Sequence, residues 1–248
     1  MTTEYEAKFL DIDKDKMTKK LKEIGATLVH PKTKYVRSVF HRCTDEVRGF
    51  ARIRDENGSV TMTVKIYDDP KFPKEYEVSI KDSFETGVKF LSSLGIKQKA
   101  FQETYREKWA HELAHEITFD DIPGLPTYME IDCTGEDKLN KLIEMLDLDK
   151  SKMRYGAFDA TYNEYYGIDK KVINDETPFI TFKNIINEIK PTKNQDLLEQ
   201  LQKEYNKNMT EGSMSKKQKK SLNKIINEFN DINYEHKYKK YKTKYLKQ

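Results

Sequence analysis

Charged and apolar residues alternate along several segments of this sequence, the first of which is Glu4-Tyr5-Glu6-Ala7-Lys8-Phe9. In an extended strand successive side chains point to opposite faces, so Glu4, Glu6 and Lys8 would share one face. Two carboxylates beside an ammonium group suit a cation and a phosphate better than a hydrophobic core. A single strand of this kind is also common on a solvated sheet face, so only recurrence of the pattern can decide between the two interpretations.

The pattern does recur, and about eight strands are predicted, most of them charged on one face. The Asn57-Gly58 dipeptide predicts a hairpin turn between two of them. After the first strand, the others are predicted at residues 33–41, 50–54, 60–66, 75–80, 101–110, 115–121 and 128–132. Their charged positions are Arg52, Arg54, Lys65, Glu75, Glu77, Arg106, Lys108, Glu116, Asp120, Glu130 and Asp132.

Three amphipathic helices are predicted between these strands: one ending near Ile24, one at residues 84–94, and one carrying Leu139, Leu142, Ile143 and Leu146. An open sheet would gain nothing from so many mixed charges on one face. The sequence therefore predicts an α+β fold built on a closed eight-stranded antiparallel β tunnel with covering helices. Apolar side chains would point outward under the helices, and charged ones would line a wet interior.

The composition describes a very polar chain, with 36% hydrophobic and 35% charged residues. No apolar run is long enough to span a bilayer, and the N-terminus lacks the core of a signal peptide, so we expect no membrane association. Two cysteines, Cys43 and Cys133, are too few for a disulfide scaffold and indicate a reducing compartment. These features predict a cytoplasmic, intracellular protein.

The chain changes composition near Gly167. Residues 1–168 carry 27 Lys and Arg against 31 Asp and Glu, whereas residues 169–248 carry 18 against 11 and no arginine. We therefore predict a tunnel domain at 1–168 and a basic, lysine-rich C-terminal extension at 169–248. The extension could be a helical appendage, a mobile basic segment, or a contact for RNA or another polyanion. Its mixture of lysine and tyrosine resembles the tails of some large DNA virus proteins.

The charged motifs together resemble the CYTH domains, also called triphosphate tunnel metalloenzymes, over roughly residues 2–168. The resemblance rests on Glu4-x-Glu6-x-Lys8, Arg52-x-Arg54, Thr63-x-Lys65, Glu75-x-Glu77, Arg106 and the run from Phe119-Asp120-Asp121-Ile122-Pro123-Gly124 to Glu130-Ile131-Asp132. This family includes class IV adenylyl cyclases, thiamine triphosphatases and inorganic triphosphatases. One departure is Thr104, which stands where a second base is frequent.

The resemblance implies a role for each matching residue. The predicted ligands of Mg²⁺ or Mn²⁺, which prefer oxygen donors, are Glu4, Glu6, Asp120, Glu130 and Asp132. The predicted substrate contacts are Lys8, Arg52, Arg54, Lys65, Arg106 and Lys108, together with the acidic tunnel positions Glu75 and Glu77. Among these, Lys8, Lys65 and Arg54 are the predicted catalytic residues, because cations neutralise charge that develops on phosphate oxygens.

The implied activity is metal-dependent hydrolysis of a small molecule bearing a triphosphate, such as tripolyphosphate, thiamine triphosphate or a nucleoside triphosphate. Three alternatives stay open at this point. The chain could cyclise ATP to cyclic AMP, act as an RNA 5′-triphosphatase aided by the basic tail, or bind polyphosphate without turnover.

One further motif, His111-Glu112-Leu113-Ala114-His115, fits the HExxH pattern of zinc proteases. That pattern binds zinc only on a helix, where residues four apart share a face. Here it lies between two predicted strands, so we interpret it as a hairpin connection.

Overall fold

The computed structural model describes residues 2–3, 5–42, 48–68 and 74–211, and within this part eleven strands join one sheet. The strands are β1 (Thr2–Thr3), β2 (Tyr5–Phe9), β3 (Thr27–Phe40), β4 (Gly49–Glu56), β5 (Ser59–Ile66), β6 (Lys74–Ile80), β7 (Gln98–His111), β8 (Ala114–Asp121), β9 (Tyr128–Cys133), β10 (Met153–Arg154) and β11 (Phe179–Ile180). The α-helices are α1 (Lys14–Glu23), α2 (Phe84–Ser93), α3 (Glu136–Met145), α4 (Phe158–Tyr166), α5 (Ile185–Glu188) and α6 (Gln195–Glu211). A 3-10 turn at Lys150–Lys152 and a π-helical turn at Val172–Glu176 complete the list.

The sheet is antiparallel along the order β1-β6-β5-β4-β3-β7-β8-β9-β2-β10, and β11 adds to β7 in parallel. The predicted closed eight-stranded tunnel is therefore wrong in detail, because the hydrogen-bonded path through the described residues holds ten strands and is not closed. The cause is a division of the N-terminal strand: β1 pairs with β6, whereas β2 pairs with β9. One residue separates β1 from β2, so the N-terminal segment still borders both β6 and β9.

The register of the sheet confirms the predicted alternation. Glu6 lies opposite Asp132 and Lys8 opposite Glu130 on β2 and β9, and Arg106 lies opposite Asp120 on β7 and β8. Because side chains alternate between faces, the charged members of these strands are brought to one side of the sheet.

The other side of these strands is apolar and is covered by helices. Trp109, Phe119 and Ile131 are buried there together with Leu21 of α1 and Leu142 of α3. Trp109 has the opposite parity to Arg106 and Lys108 on β7, and it packs within this apolar layer. Asp13 caps the start of α1, where its side chain accepts a hydrogen bond from the Lys16 amide at 3.0 Å.

Residues beyond the last long strand form a second apolar cluster. The Tyr162 and Tyr166 hydroxyls of α4 donate to the carbonyls of Pro123 and Gly124, and Leu198 of α6 is fully buried against this turn. The compact unit that contains the sheet runs to Tyr205, so its packing shows no break at residue 168.

Some residues named in the sequence analysis are not among those that the structure describes. Glu4, Cys43 and the lysine-rich tail from Met214 onward lie outside the described residues. Within the described part of the chain, none of the helices has the length and apolar character needed to cross a bilayer.

We expect Leu198→Ala to destabilise the sheet and α6 together. Deleting a fully buried leucine side chain typically lowers the free energy of unfolding by about 2–5 kcal/mol. A single cooperative transition with a lower midpoint, followed by circular dichroism during denaturant unfolding, is the expected result. Gln200→Ala, on the same helix, is the matched control and should leave the midpoint nearly unchanged. An unaltered transition for Leu198→Ala would contradict the packing of α6 into this unit.

Candidate active site

The charged face of the sheet borders a cavity of about 460 Å³. Of the thirteen residues predicted as site residues, eleven line it: Glu6, Lys8, Arg52, Arg54, Lys65, Glu75, Glu77, Arg106, Lys108, Glu130 and Asp132. Glu4 lies outside the described residues, and Asp120 is buried behind Arg106 rather than in the lining. The sequence pattern thus locates the cavity, while the partners of each side chain come only from the structure.

An acidic pair lies on adjacent strands of this cavity. Glu6 of β2 is the cross-strand partner of Asp132 of β9, and the buried Oδ1 atom of Asp132 has no hydrogen-bond donor in the described part of the protein. Burial and the neighbouring charge of Glu6 raise the pKa of Asp132 to about 7, and burial with the charge of Glu130 raises the pKa of Glu6. Two carboxylates and an orphaned oxygen fit a hard divalent cation.

Arg106 of β7 is bound by three acids from two neighbouring strands. Its Nε and Nη2 atoms donate to the two carboxylate oxygens of Asp120, each at 2.7 Å. Its Nη1 atom lies 2.7 Å from Glu116 Oε1, and Nη2 lies 3.1 Å from Glu130 Oε2. Because these acids already saturate the guanidinium, Arg106 and Asp120 act here as a brace for the cavity wall.

Lys8 is held deep in the cavity wall. Its Nζ atom lies 3.0 Å from Glu130 Oε1, donates to the Gly156 carbonyl at 2.9 Å and lies 5.0 Å from the centre of the Tyr128 ring. Only 3% of the Lys8 side chain is exposed. This arrangement fixes an ammonium group at one position, where it can meet a bound anion without reorganising.

The opposite wall combines arginines with the glutamates predicted on β6. Arg52 Nη2 lies 3.4 Å from Glu75 Oε1 and 3.5 Å from Glu77 Oε2, while Lys65 Nζ lies 3.4 Å from Glu75 Oε2. Arg54 contacts Glu56 at 2.5 Å and Glu77 at 3.6 Å. Burial and the charge of Arg52 lower the pKa of Arg54, which marks this wall as rich in positive charge.

Arg37 of β3 is a cavity residue that the sequence motifs missed. Its Nη2 atom donates to Thr104 Oγ1 at 3.1 Å, and its buried Nε atom has no partner in the described residues, none of whose carboxylates pairs with it. Burial and the nearby charges of Arg52 and Arg54 lower the pKa of Arg37 to about 9. A buried, unpaired guanidinium facing a cavity is costly unless an anion binds there.

The predicted metal ligands do not converge as a single cluster. Glu130 is held by Lys8 and Arg106, and Asp120 by Arg106, so among the predicted ligands that the structure describes only Glu6 and Asp132 form no ion pair. Across the residues that the structure describes, no group of three or more His, Cys, Asp or Glu side chains has the arrangement of a metal centre.

Lys108, a predicted substrate contact, pairs with Glu116 at 2.6 Å. The charges of Arg106 and Lys108 lower the pKa of Glu116 to about 2 despite its burial.

A model of the CYTH domain family matches residues 2–160, more than half of the chain. The chain belongs to the CYTH domain family. This family includes triphosphatases and class IV adenylyl cyclases, and its members bind triphosphates and depend on a metal. The family match agrees with the motifs that surround the cavity, and a comparison with curated proteins gives no match.

Solved structures share this fold at low sequence identity. A Vibrio parahaemolyticus protein described as a candidate adenylate cyclase has a TM-score of 0.56 and 13% identity, covering 64% of this chain and 97% of its own. A conserved hypothetical protein from Pyrococcus furiosus has a TM-score of 0.52 and 20% identity, covering 62% and 97%. A Pyrococcus horikoshii protein has a TM-score of 0.52 and 16% identity, covering 62% and 96%.

The HExxH segment forms a β-hairpin, as predicted. β7 ends at His111 and β8 begins at Ala114, so the segment has no helical face on which two histidines could meet a zinc ion. The His111 ring lies 3.2 Å from the Ile24 carbonyl instead, and the Leu113 amide donates to its Nδ1 atom.

We expect Asp132→Asn to abolish stabilisation by Mn²⁺ while stabilising the metal-free protein at pH 8. The amide removes a buried charge that repels Glu6 but offers one weaker oxygen ligand. In EDTA its melting temperature should exceed that of the wild type by about 2–4 °C per kcal/mol of relieved repulsion. Mn²⁺ at about 100 times its Kd should stabilise the wild type by about 2.7 kcal/mol, measured by differential scanning fluorimetry. Equal Mn²⁺ shifts in both proteins would exclude Asp132 as a ligand.

We expect Arg37→Met to raise the melting temperature and to weaken binding of tripolyphosphate. Methionine fills similar volume without placing an unpaired charge beside Arg52 and Arg54, so the free protein gains stability. Losing one charge-assisted contact should weaken tripolyphosphate binding by about 10- to 100-fold in isothermal titration calorimetry, a change of about 1.5–3 kcal/mol. Arg154→Met, which removes an exposed arginine paired with Glu164, is the matched control. A lower melting temperature with unchanged binding would show that Arg37 is structural.

Proposed function

We propose that this chain is a divalent-metal-dependent triphosphatase that hydrolyses a triphosphate within the charged cavity. The observation that supports it is the separation of unpaired charge. Among the described residues, Glu6 and Asp132 form an acidic pair with an orphaned oxygen, while Arg37 is a partly buried cation without an acidic partner. A ligand that brings both a divalent cation and a polyanion satisfies both places at once.

Glu6 and Asp132 are the proposed metal ligands, with Glu4 as a further ligand predicted from the sequence. When bound, Mg²⁺ or Mn²⁺ supplies Lewis-acid polarisation of phosphate oxygens. We assign Asp120 and Glu130 the positioning of Arg106 and Lys8, because both acids are already bound by these cations.

The basic residues are proposed to hold the triphosphate and to neutralise charge as a phosphorus–oxygen bond breaks. Lys8, Lys65 and Arg54 line the cavity on three different strands, so they can contact a chain of phosphates from several sides. Lys8 is fixed by two oxygens and therefore needs no rearrangement during the reaction. Arg52 and Arg37 extend the same positive wall, and Glu75 and Glu77 hold Arg52 and Arg54 in place.

We expect release of inorganic phosphate when the full chain is incubated with Mg²⁺ or Mn²⁺ and a triphosphate. The substrates are ATP, thiamine triphosphate and tripolyphosphate, each followed by phosphate detection and by chromatography of the products. Glu6→Gln and Lys8→Met should lower kcat/KM by about 10²- to 10³-fold, since each loses a charge that the transition state needs. Glu199→Gln, on α6 and outside the cavity lining, is the matched control.

Three results would count against this proposal. Cyclic AMP and pyrophosphate from ATP would identify a cyclase, in which the ribose 3′-hydroxyl rather than water attacks. Tight tripolyphosphate binding with no turnover of any of the three substrates would identify a binding module. More than one tenth of wild-type activity in Glu6→Gln would argue against its role as a metal ligand.

A further inference from the structure

One end of the cavity is formed by residues that follow the last long strand. Gly156, Ala157, Phe158 and Asp159, at the start of α4, line it together with Asn174 of the π-helical turn. The Gly156 carbonyl accepts the hydrogen bond from Lys8 Nζ, so this segment directly adjoins the proposed triphosphate site. Asn174 also lies beyond the family match, which ends at residue 160.

Asp159 is the unusual group at this end. It is 8% exposed, and its Oδ2 atom accepts a hydrogen bond from Asn174 Nδ2 at 2.7 Å. Within the described part of the chain no lysine or arginine pairs with it, and no donor reaches its Oδ1 atom. Lys99 of β7, which also lines the cavity, is paired with Asp175 at 3.2 Å.

A carboxylate in this position is unsuited to a polyphosphate, because two anions repel each other in a partly dry cavity. It is well suited to accept hydrogen bonds from N–H or O–H groups, and the Asn174 amide adds a carbonyl oxygen of the same kind. The hydrogen-bond acceptors of Asp159 and Asn174 therefore suit a ligand group with N–H or O–H donors, which a phosphate chain does not offer.

Apolar side chains line the same cavity as this pair. Val39 and Ala100 are cross-strand partners that line the cavity, as do Ile122, Tyr128 and Phe158. Phe158 packs at 6.0 Å from Tyr162, which anchors it to the second apolar cluster. Apolar and aromatic walls with two placed polar groups are the usual lining of a pocket for a small organic group.

We propose that this end of the cavity binds the organic group of an organic triphosphate ester, and that Asp159 and Asn174 select a heterocycle bearing N–H donors. The inference rests on the proposed triphosphatase function and narrows its substrate class. Bare tripolyphosphate would leave the acceptor pair unfilled and would gain nothing from the apolar walls. Nucleoside triphosphates and thiamine triphosphate both offer an amino-substituted heterocycle.

A structural role for the same pair makes a different prediction. The Asp159–Asn174 hydrogen bond also links α4 to the π-helical turn. In addition, an acidic residue in the first turn stabilises a helix through its favourable interaction with the helix dipole. If this were the whole role, Asp159→Asn would lower the melting temperature and would reduce activity on every substrate by a similar factor.

The test compares kcat/KM for ATP, thiamine triphosphate and tripolyphosphate in the wild type, Asp159→Asn and Asn174→Ala. We expect the wild type to prefer at least one of the two esters over tripolyphosphate by tenfold or more, and the favoured ester identifies the heterocycle. Each variant should lower kcat/KM for that ester by about 10- to 100-fold, the usual effect of a lost charged hydrogen bond. Turnover of tripolyphosphate should stay within about threefold of the wild type, since Asp159 contacts none of its phosphates. Asp147→Asn, at an exposed aspartate outside the cavity, is the matched control.

Three results would overturn the inference. They are a wild-type preference for tripolyphosphate, an equal loss of activity on all substrates in Asp159→Asn, and unchanged ester turnover in both variants. If no substrate is hydrolysed, the proposed function fails while this inference is still tested by calorimetric binding. ATP or thiamine triphosphate must then bind more tightly than tripolyphosphate in the wild type, and Asp159→Asn must remove that difference.

Discussion

The interior of this protein is constrained by the need to neutralise charges that the strand pattern places on one side of the sheet. Arg106 on β7 meets this need on one wall, since it binds Asp120 and Glu116 of β8 and Glu130 of β9. These bonds cross three strands, so they also fix the register in which the charged positions face each other. A wall built this way does not collapse into an apolar core, and the cavity stays open beside it.

Ionic networks of this kind are weak evidence for stability, because apolar side chains of similar size are often as stable or more so. The cavity also holds charged groups that the described residues leave without a partner. Asp132 retains an orphaned oxygen beside Glu6, and Arg37 retains an orphaned nitrogen near Arg52 and Arg54. Such places lower the stability of the free protein, so a ligand carrying a metal cation and a polyanion is their simplest physical explanation.

Much of the sheet was predictable because period-two alternation is a local property of the sequence. It located the long strands and eleven lining residues. It could not separate Asp120 from the lining, since parity gives the face of a side chain but not the partner that covers it. The prediction of a closed sheet was wrong for a related reason. The N-terminal segment pairs with β6 through β1 and with β9 through β2, and the alternation of its residues does not reveal this change of partner.

Arg37 shows why part of the site was missed. It shares parity with Tyr35 and Val39, so a single charge on an otherwise apolar strand face indicates packing rather than function. In the structure it donates to Thr104, the position at which a second base was expected on β7. β7 lacks a second base at Thr104, and Arg37 on the neighbouring strand β3 supplies a positive charge there instead.

Asp159 and Asn174 escaped the motif analysis for a different reason: they lie 15 residues apart in sequence and follow no period. They meet because α4 and the π-helical turn pack on the same apolar cluster as the Pro123–Gly124 turn. In the proposed arrangement the strands supply the side chains that bind phosphate and metal, and residues after the strands select the organic group that binds beside them. A division of this kind explains why family motifs indicate a triphosphate but leave its organic part undetermined, since the side chains that would recognise that part come from outside the motifs.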